Sequence, residues 1–138
     1  MNKKITVVVI DDHSLFRKGI SSLLQIAGYN VIGDYQNGLD FISNINDKNL
    51  PDFVFTEIKM PQMDGYATAL WLKENHPAIN VLAMCMYYDE VAIKAMIKNG
   101  AKGFISKTIE PNEIKTSIKS VIKKGHYYPG ISDSFFFS

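Results

Sequence analysis

With a single cysteine, Cys85, in 138 residues, the chain can form neither an internal disulfide nor a cysteine-built metal cluster, which suits a reducing compartment. It has no apolar run of membrane-spanning length. The basic start Met1-Asn2-Lys3-Lys4 leads into an apolar stretch over residues 5–10 that is too short for a signal peptide and ends at Asp11 and Asp12. These absences predict a cytoplasmic protein with no membrane partner. Charge of one sign is not in excess either: 15 Lys and Arg stand against 14 Asp and Glu, a net charge of +1. Without a basic recognition helix, this balance argues against direct nucleic-acid binding and confines any charge-based function to a local site. Internal repeats are absent, and the only biased tract is the aromatic triplet Phe135-Phe136-Phe137.

What is present describes one globular unit. Hydrophobic residues make up 46% and charged residues 21%, a balance that supports an ordinary core in a chain of this length. Short β-branched apolar runs alternate five times with helical periodicity, the pattern of βα units winding a parallel sheet. The spacing predicts strands over residues 5–10, 31–35, 53–56, 81–84 and 103–105, the first being the most uniformly apolar and so central. The first helix carries Phe16, Ile20, Leu23, Leu24 and Ala27 toward the sheet before Gly28, which suits a left-handed terminus. A second begins at Asn37 as N-cap with Asp40 three places on and presents Leu39, Ile42 and Ile45, and a third presents Tyr66, Leu70 and Trp71. Asp89 caps the fourth, with Ala92, Ile93, Met96 and Ile97 on its inner face. Pro111 opens the fifth, whose stripe is Ile114, Ile118, Val121 and Ile122.

In an open parallel sheet, ligands bind beyond the carboxyl ends of the strands, where the winding direction reverses. Asp11 and Asp12 follow the first strand, Glu57 the third and Lys107 the fifth, so four charged groups from distant sequence are expected on one rim. Clustered carboxylates repel one another unless a cation neutralises them, and oxygen ligands suit Mg²⁺. Lys107 supplies a fixed positive charge that can pair with a carboxylate or a phosphate oxygen.

The residues that carry a family likeness are Val9-Ile10-Asp11-Asp12-His13, the run Glu57-Ile58-Lys59-Met60-Pro61-Gln62-Met63-Asp64-Gly65, and Gly100-Ala101-Lys102-Gly103-Phe104-Ile105-Ser106-Lys107. On these three runs, across residues 4–124, the sequence resembles the receiver domains of two-component response regulators, similar in fold to the chemotaxis protein CheY. The resemblance implies a three-layer, doubly wound, flavodoxin-like α/β fold, with a five-stranded parallel sheet of order 2-1-3-4-5 flanked by five helices. It implies a signalling domain rather than an enzyme. Mg²⁺ would be held by Asp11, Asp12, Glu57 and the backbone carbonyl of Lys59. A partner histidine kinase would deliver phosphate to position 57, and Lys107 would contact that phosphate. The place of Cys85 belongs to a switch hydroxyl, and Phe104 to an aromatic that couples the pocket to a face made by the fourth helix, fifth strand and fifth helix.

Two residues depart from the family pattern. Glu57 replaces aspartate, and its extra methylene moves the carboxylate by on the order of 1 Å, which can cost about a hundredfold in a positioned reaction. Cys85 replaces a hydroxyl with a bulkier, weaker donor. Glu57 is open to three explanations: a natural receiver that no longer uses phosphate, an acceptor of altered geometry, or an aspartate-to-glutamate substitution that imitates the charged state. The phrase Val81-Leu82-Ala83-Met84-Cys85-Met86-Tyr87-Tyr88-Asp89-Glu90, with Lys107-Thr108, looks like the NarL/LuxR-type branch, whose receivers precede a helix-turn-helix domain. The expected division is a receiver over residues 1–125 and a linker or tail over 126–138 toward an output domain, with that domain or a second copy as partner. A Mg²⁺-dependent phosphohydrolase of the haloacid dehalogenase type is the rival from another class. It needs an Asp-x-Asp pattern, whereas these acids are adjacent.

Overall fold

The computed structural model describes residues 4–108 and 110–130; the aromatic triplet lies outside them. In chain order the elements are β1 (Thr6–Ile10), α1 (Ser14–Ile26), β2 (Asn30–Tyr35), α2 (Gly38–Asn44), β3 (Phe53–Glu57), α3 (Gly65–Asn75), β4 (Asn80–Cys85), α4 (Glu90–Lys98), β5 (Gly103–Ser106) and α5 (Pro111–Lys124). The strands form one parallel sheet of order β2-β1-β3-β4-β5. β1 is therefore an interior strand, but the middle place belongs to β3, which is less apolar yet equally buried, through Thr56.

Successive strand side chains point to opposite faces, which splits the core into two layers. Val7 and Val9 of β1, Phe53 and Phe55 of β3, Leu82 and Met84 of β4 and Ile105 of β5 face Ile20 and Leu24 of α1 and Ile114, Ile118 and Val121 of α5. Val8, Ile10, Val54, Val81, Ala83, Cys85 and Phe104 face α2, α3 and α4 through Phe41, Ala69, Leu72, Ala92, Ile93 and Met96. Truncating a fully buried member such as Leu24 to alanine costs about 2–5 kcal/mol. The caps at Asn37, Asp64 and Asp89 each accept a backbone N–H three residues on, at 2.9, 3.0 and 3.2 Å, and Pro111 occupies the first turn of α5.

The inner faces of three helices differ from the sequence expectation. Leu39, Leu70 and Ile122 are exposed. Phe41 is the buried residue that anchors α2, and Ile45 lies just beyond the helix as its C-cap. α3 buries Thr68, Ala69 and Leu72. A helix of two turns, or one with apolar residues all round, leaves the phase of its inner face undetermined by spacing alone. Among the described residues no helix is long and apolar enough to cross a membrane.

Candidate functional site

The direction of winding reverses between β1 and β3: the chain leaves β1 toward β2 on one side and returns to β3 on the other. Asp11 is the first residue beyond β1 and is completely buried, and Glu57 is the last residue of β3. Lys107 follows β5, two strands from β3, and its backbone N–H donates to the Cys85 carbonyl at 2.8 Å, which fixes where its long stem departs. The stem crosses the end of β4. Its ammonium meets Glu57 Oε2 directly and lies 2.9 Å from Asp11 Oδ2.

Electrostatics explains why this lysine is needed. The Lys107 side chain is 5% exposed, that of Glu57 13% and that of Asp11 0%, so each unpaired charge would carry a large desolvation cost. One ammonium between two carboxylates offsets most of it. Asp11 Oδ2 accepts no hydrogen bond and is held by charge alone, whereas Oδ1 accepts from the His13 backbone N–H at 2.8 Å. The centroid of the Phe16 ring on α1 lies 4.7 Å from the Lys107 ammonium, a cation–π contact that adds a third neighbour.

Glu57 is fixed from behind. Its Oε1 accepts from the Ile58 backbone N–H at 3.1 Å, so both carboxylate oxygens are engaged. α3 begins against this end of β3: Gly65 N–H donates to Ile58 carbonyl at 2.7 Å. A Cβ on Gly65 would fall on the Glu57 carbonyl oxygen and lie 2.9 Å from Ile58 Cα. Only glycine admits that approach. In the same connection Gln62 adopts a left-handed φ of 71°, a conformation that costs a non-glycine residue on the order of 1 kcal/mol.

Asp12 is the most solvated of the acids, with a side chain 31% exposed. Its carboxylate lies 3.5 Å from His13 Nδ1, which is also 3.2 Å from Asp11 Oδ1. Donor atoms of Asp11, Asp12 and His13 fall within 4.8 Å of one another. The hard carboxylate oxygens of buried Asp11 and partly exposed Asp12 suit Mg²⁺, and Asp11 Oδ2, lacking a hydrogen bond, is an oxygen such an ion could satisfy. Glu57 stands outside this donor group and on Lys107, so the structure draws the four expected charges into two linked groups, Asp11 with Asp12 and Asp11 with Lys107 and Glu57, with Asp11 common to both. Lys59 is exposed in the connection after β3.

Cys85 closes β4 and Phe104 lies in β5, both buried in the layer facing α4. The Cys85 thiol donates to the Ile105 carbonyl at 3.6 Å. Burial first, then the Asp89 carboxylate, pushes the thiol pKa up, so it stays protonated and unreactive at neutral pH. The Phe104 ring is 6.2 Å from that of Tyr88.

Sequence reasoning missed two participants. His13 stands in the first family run with no role assigned to it, yet its adjacency to both acids was a usable signal. Arg17, one turn further along α1, donates to the Asp11 backbone carbonyl at 2.7 Å and to Asp34 Oδ1 at 2.8 Å, tying the pocket floor to the end of β2. No motif marks that arginine.

The family model of the response regulator receiver domain matches residues 7–119. The chain is 30% identical over 125 residues to the transcriptional regulatory protein DegU of Brevibacillus brevis, a match covering 90% of this chain and 52% of that protein. It is also 30% identical over 122 residues to the transcriptional regulatory protein NarL of Mycobacterium tuberculosis, covering 88% and 56%. The chain thus spans about half the length of these curated relatives. The signal receiver domain of NarL from M. tuberculosis superposes with a TM-score of 0.81 at 30% identity, covering 89% of this chain and 99% of that one. The isolated receiver domain of RcsB from Salmonella enterica, at 20% identity, shares the fold with a TM-score of 0.80 over 93% and 95% of the two chains. Because the family match runs from β1 into α5 and takes in every strand that carries the pocket, this chain belongs to the response regulator receiver domain family.

Proposed function

We propose that this chain is the receiver module of a two-component response regulator, and that Glu57, rather than a transferred phosphoryl group, holds its pocket. The observation that carries this reading is the direct contact of Glu57 Oε2 with the Lys107 ammonium, shared with Asp11. In this reading Glu57 stands at the acceptor position. Its extra methylene brings the carboxylate onto the lysine that would otherwise meet the phosphate. Both its oxygens are engaged, so neither is free to attack phosphorus in line, and misplacement by on the order of 1 Å slows a positioned reaction about a hundredfold.

Asp11 and Asp12 are the side chains that would hold Mg²⁺, with the Lys59 backbone carbonyl as a further ligand; Glu57, engaged by Lys107 and the Ile58 N–H, stands outside the set that the family pattern gives it. Bound there, the ion would offset negative charge on phosphate oxygens. Cys85 holds its proton and donates weakly to the Ile105 carbonyl, so it follows a phosphate less well than a hydroxyl would. The state of the pocket passes through Phe104 to the face made by α4, β5 and α5, where an output segment or a second copy pairs with it. The upstream partner is a histidine kinase. Residues 1–125 form the receiver unit and residues 126–138 a linker or tail, in a cytoplasmic protein of the branch whose named relatives are transcription regulators.

The test is intact-mass spectrometry after incubation with acetyl phosphate and Mg²⁺. The wild-type chain is expected to gain no stable phosphoryl mass, and Glu57→Asp to gain one. A phosphoryl group recovered on Glu57 would contradict the proposal. In parallel, Asp12→Asn is expected to abolish Mg²⁺ binding in a titration; an unchanged curve would remove the metal role.

A further inference from the structure

After α5 the chain does not leave the domain at once. Gly125 turns it back with a left-handed φ of 86°, and Tyr127 pairs in parallel with Gly103 at the outer edge of β5. Tyr127 N–H donates to the Lys102 carbonyl at 2.9 Å, and the Phe104 N–H donates to the Tyr127 carbonyl at 3.3 Å. These two bonds cover an edge that would otherwise present unpaired backbone groups.

Side chains fix the same segment from α5. The Tyr127 hydroxyl donates to Glu113 Oε1 at 3.1 Å in the first turn of that helix. Ser120 Oγ donates to the His126 carbonyl at 2.6 Å near its end, and Tyr127 packs against the core layer of α1 and α5. The His126 and Tyr128 rings stack 4.7 Å apart at 3°. Gly103 is what allows the approach, since a Cβ there would fall on the Tyr127 carbonyl oxygen and lie 2.8 Å from its carbonyl carbon.

We propose that residues 126–130 form a latch on the edge of β5, through which a displacement of Lys107 and Phe104 is passed to the chain beyond residue 130. The latch has the Phe104 amide itself as one of its donors. Only Ile105 and Ser106 separate Phe104 from Lys107, and an extended strand of that length moves as a unit. Of the two backbone bonds the one from Phe104 is the longer. The latch itself rests on geometry; that the pocket drives it rests on the receiver reading.

Amide hydrogen exchange measured by NMR on the 138-residue chain tests both parts. In the wild type the Phe104 and Tyr127 amides are expected to be protected. Glu57→Gln, which removes the charge facing Lys107 and keeps its shape, is expected to change exchange at Tyr127 by about tenfold or more, as a local opening would. Tyr127→Phe, which removes only the bond to Glu113, is expected to speed exchange at Phe104 with pocket amides unaltered. If Glu57→Gln alters the Lys107 amide but leaves Tyr127 unchanged, the latch is overturned and the receiver reading stands. If neither amide responds, the latch is overturned and so is the reading that Glu57 holds the pocket. Unprotected Phe104 and Tyr127 amides in the wild type would overturn the latch outright.

Discussion

Lys107 is the residue on which the pocket depends, because its ammonium is shared by two carboxylates that burial would otherwise set against each other. Its counterpart at the far edge of the domain is Tyr127, whose phenol pKa is pushed up to about 12 by burial first, then by the charge of Glu113 and the hydrogen bond to it. The folded state therefore keeps this proton at a pH where the unfolded chain, titrating near 10, has lost it. The stability that results is complete below pH 10 and is lost as pH rises from about 10 to about 12. Urea unfolding of the wild type and Tyr127→Phe should show a difference that is constant up to pH 9 and shrinks by pH 11.5; a difference independent of pH would refute it. The positions of Asp11, Glu57 and Lys107 could be read in the sequence because each directly follows or ends an apolar strand. Arg17 could not, since its role depends on how far α1 turns before it meets the sheet.

At the scale of elements, the start of α3 decides how Glu57 is presented. Asp64 caps the helix, and Gly65 lets its first turn rest on the end of β3. Gly65→Ala is expected to destabilise the fold by about 1–3 kcal/mol, the usual cost of overpacking a filled site. It should also disturb the Glu57 carbonyl, with chemical-shift changes centred on residues 57, 58 and 65. An alanine variant as stable as the wild type would show that the contact is slack. The strands were legible to within about a residue because period-two and fully buried runs have unambiguous ends. The faces of α2 and α3 were not, because seven residues in one and an apolar girdle of Tyr66, Ala69, Leu70, Trp71 and Leu72 in the other fit more than one phase.

Across the whole molecule, the two core layers do different work. The α1/α5 layer brings Phe16 and Arg17 to the pocket and holds Tyr127. The α2/α3/α4 layer contains Cys85 and Phe104 and carries the contact with Tyr88. β5 belongs to both, through Ile105 on one face and Phe104 on the other, so a change at Lys107 is felt on both sides of the sheet. All of this depends on the charge contact between Glu57 and Lys107, and a double-mutant cycle with Glu57→Gln, Lys107→Met and the pair measures it directly. For a pair so little exposed, the expected coupling is about 1–3 kcal/mol in favour of the native pair. A coupling within about 0.3 kcal/mol of zero, the scatter of independent sites, would mean that Glu57 does not hold the pocket.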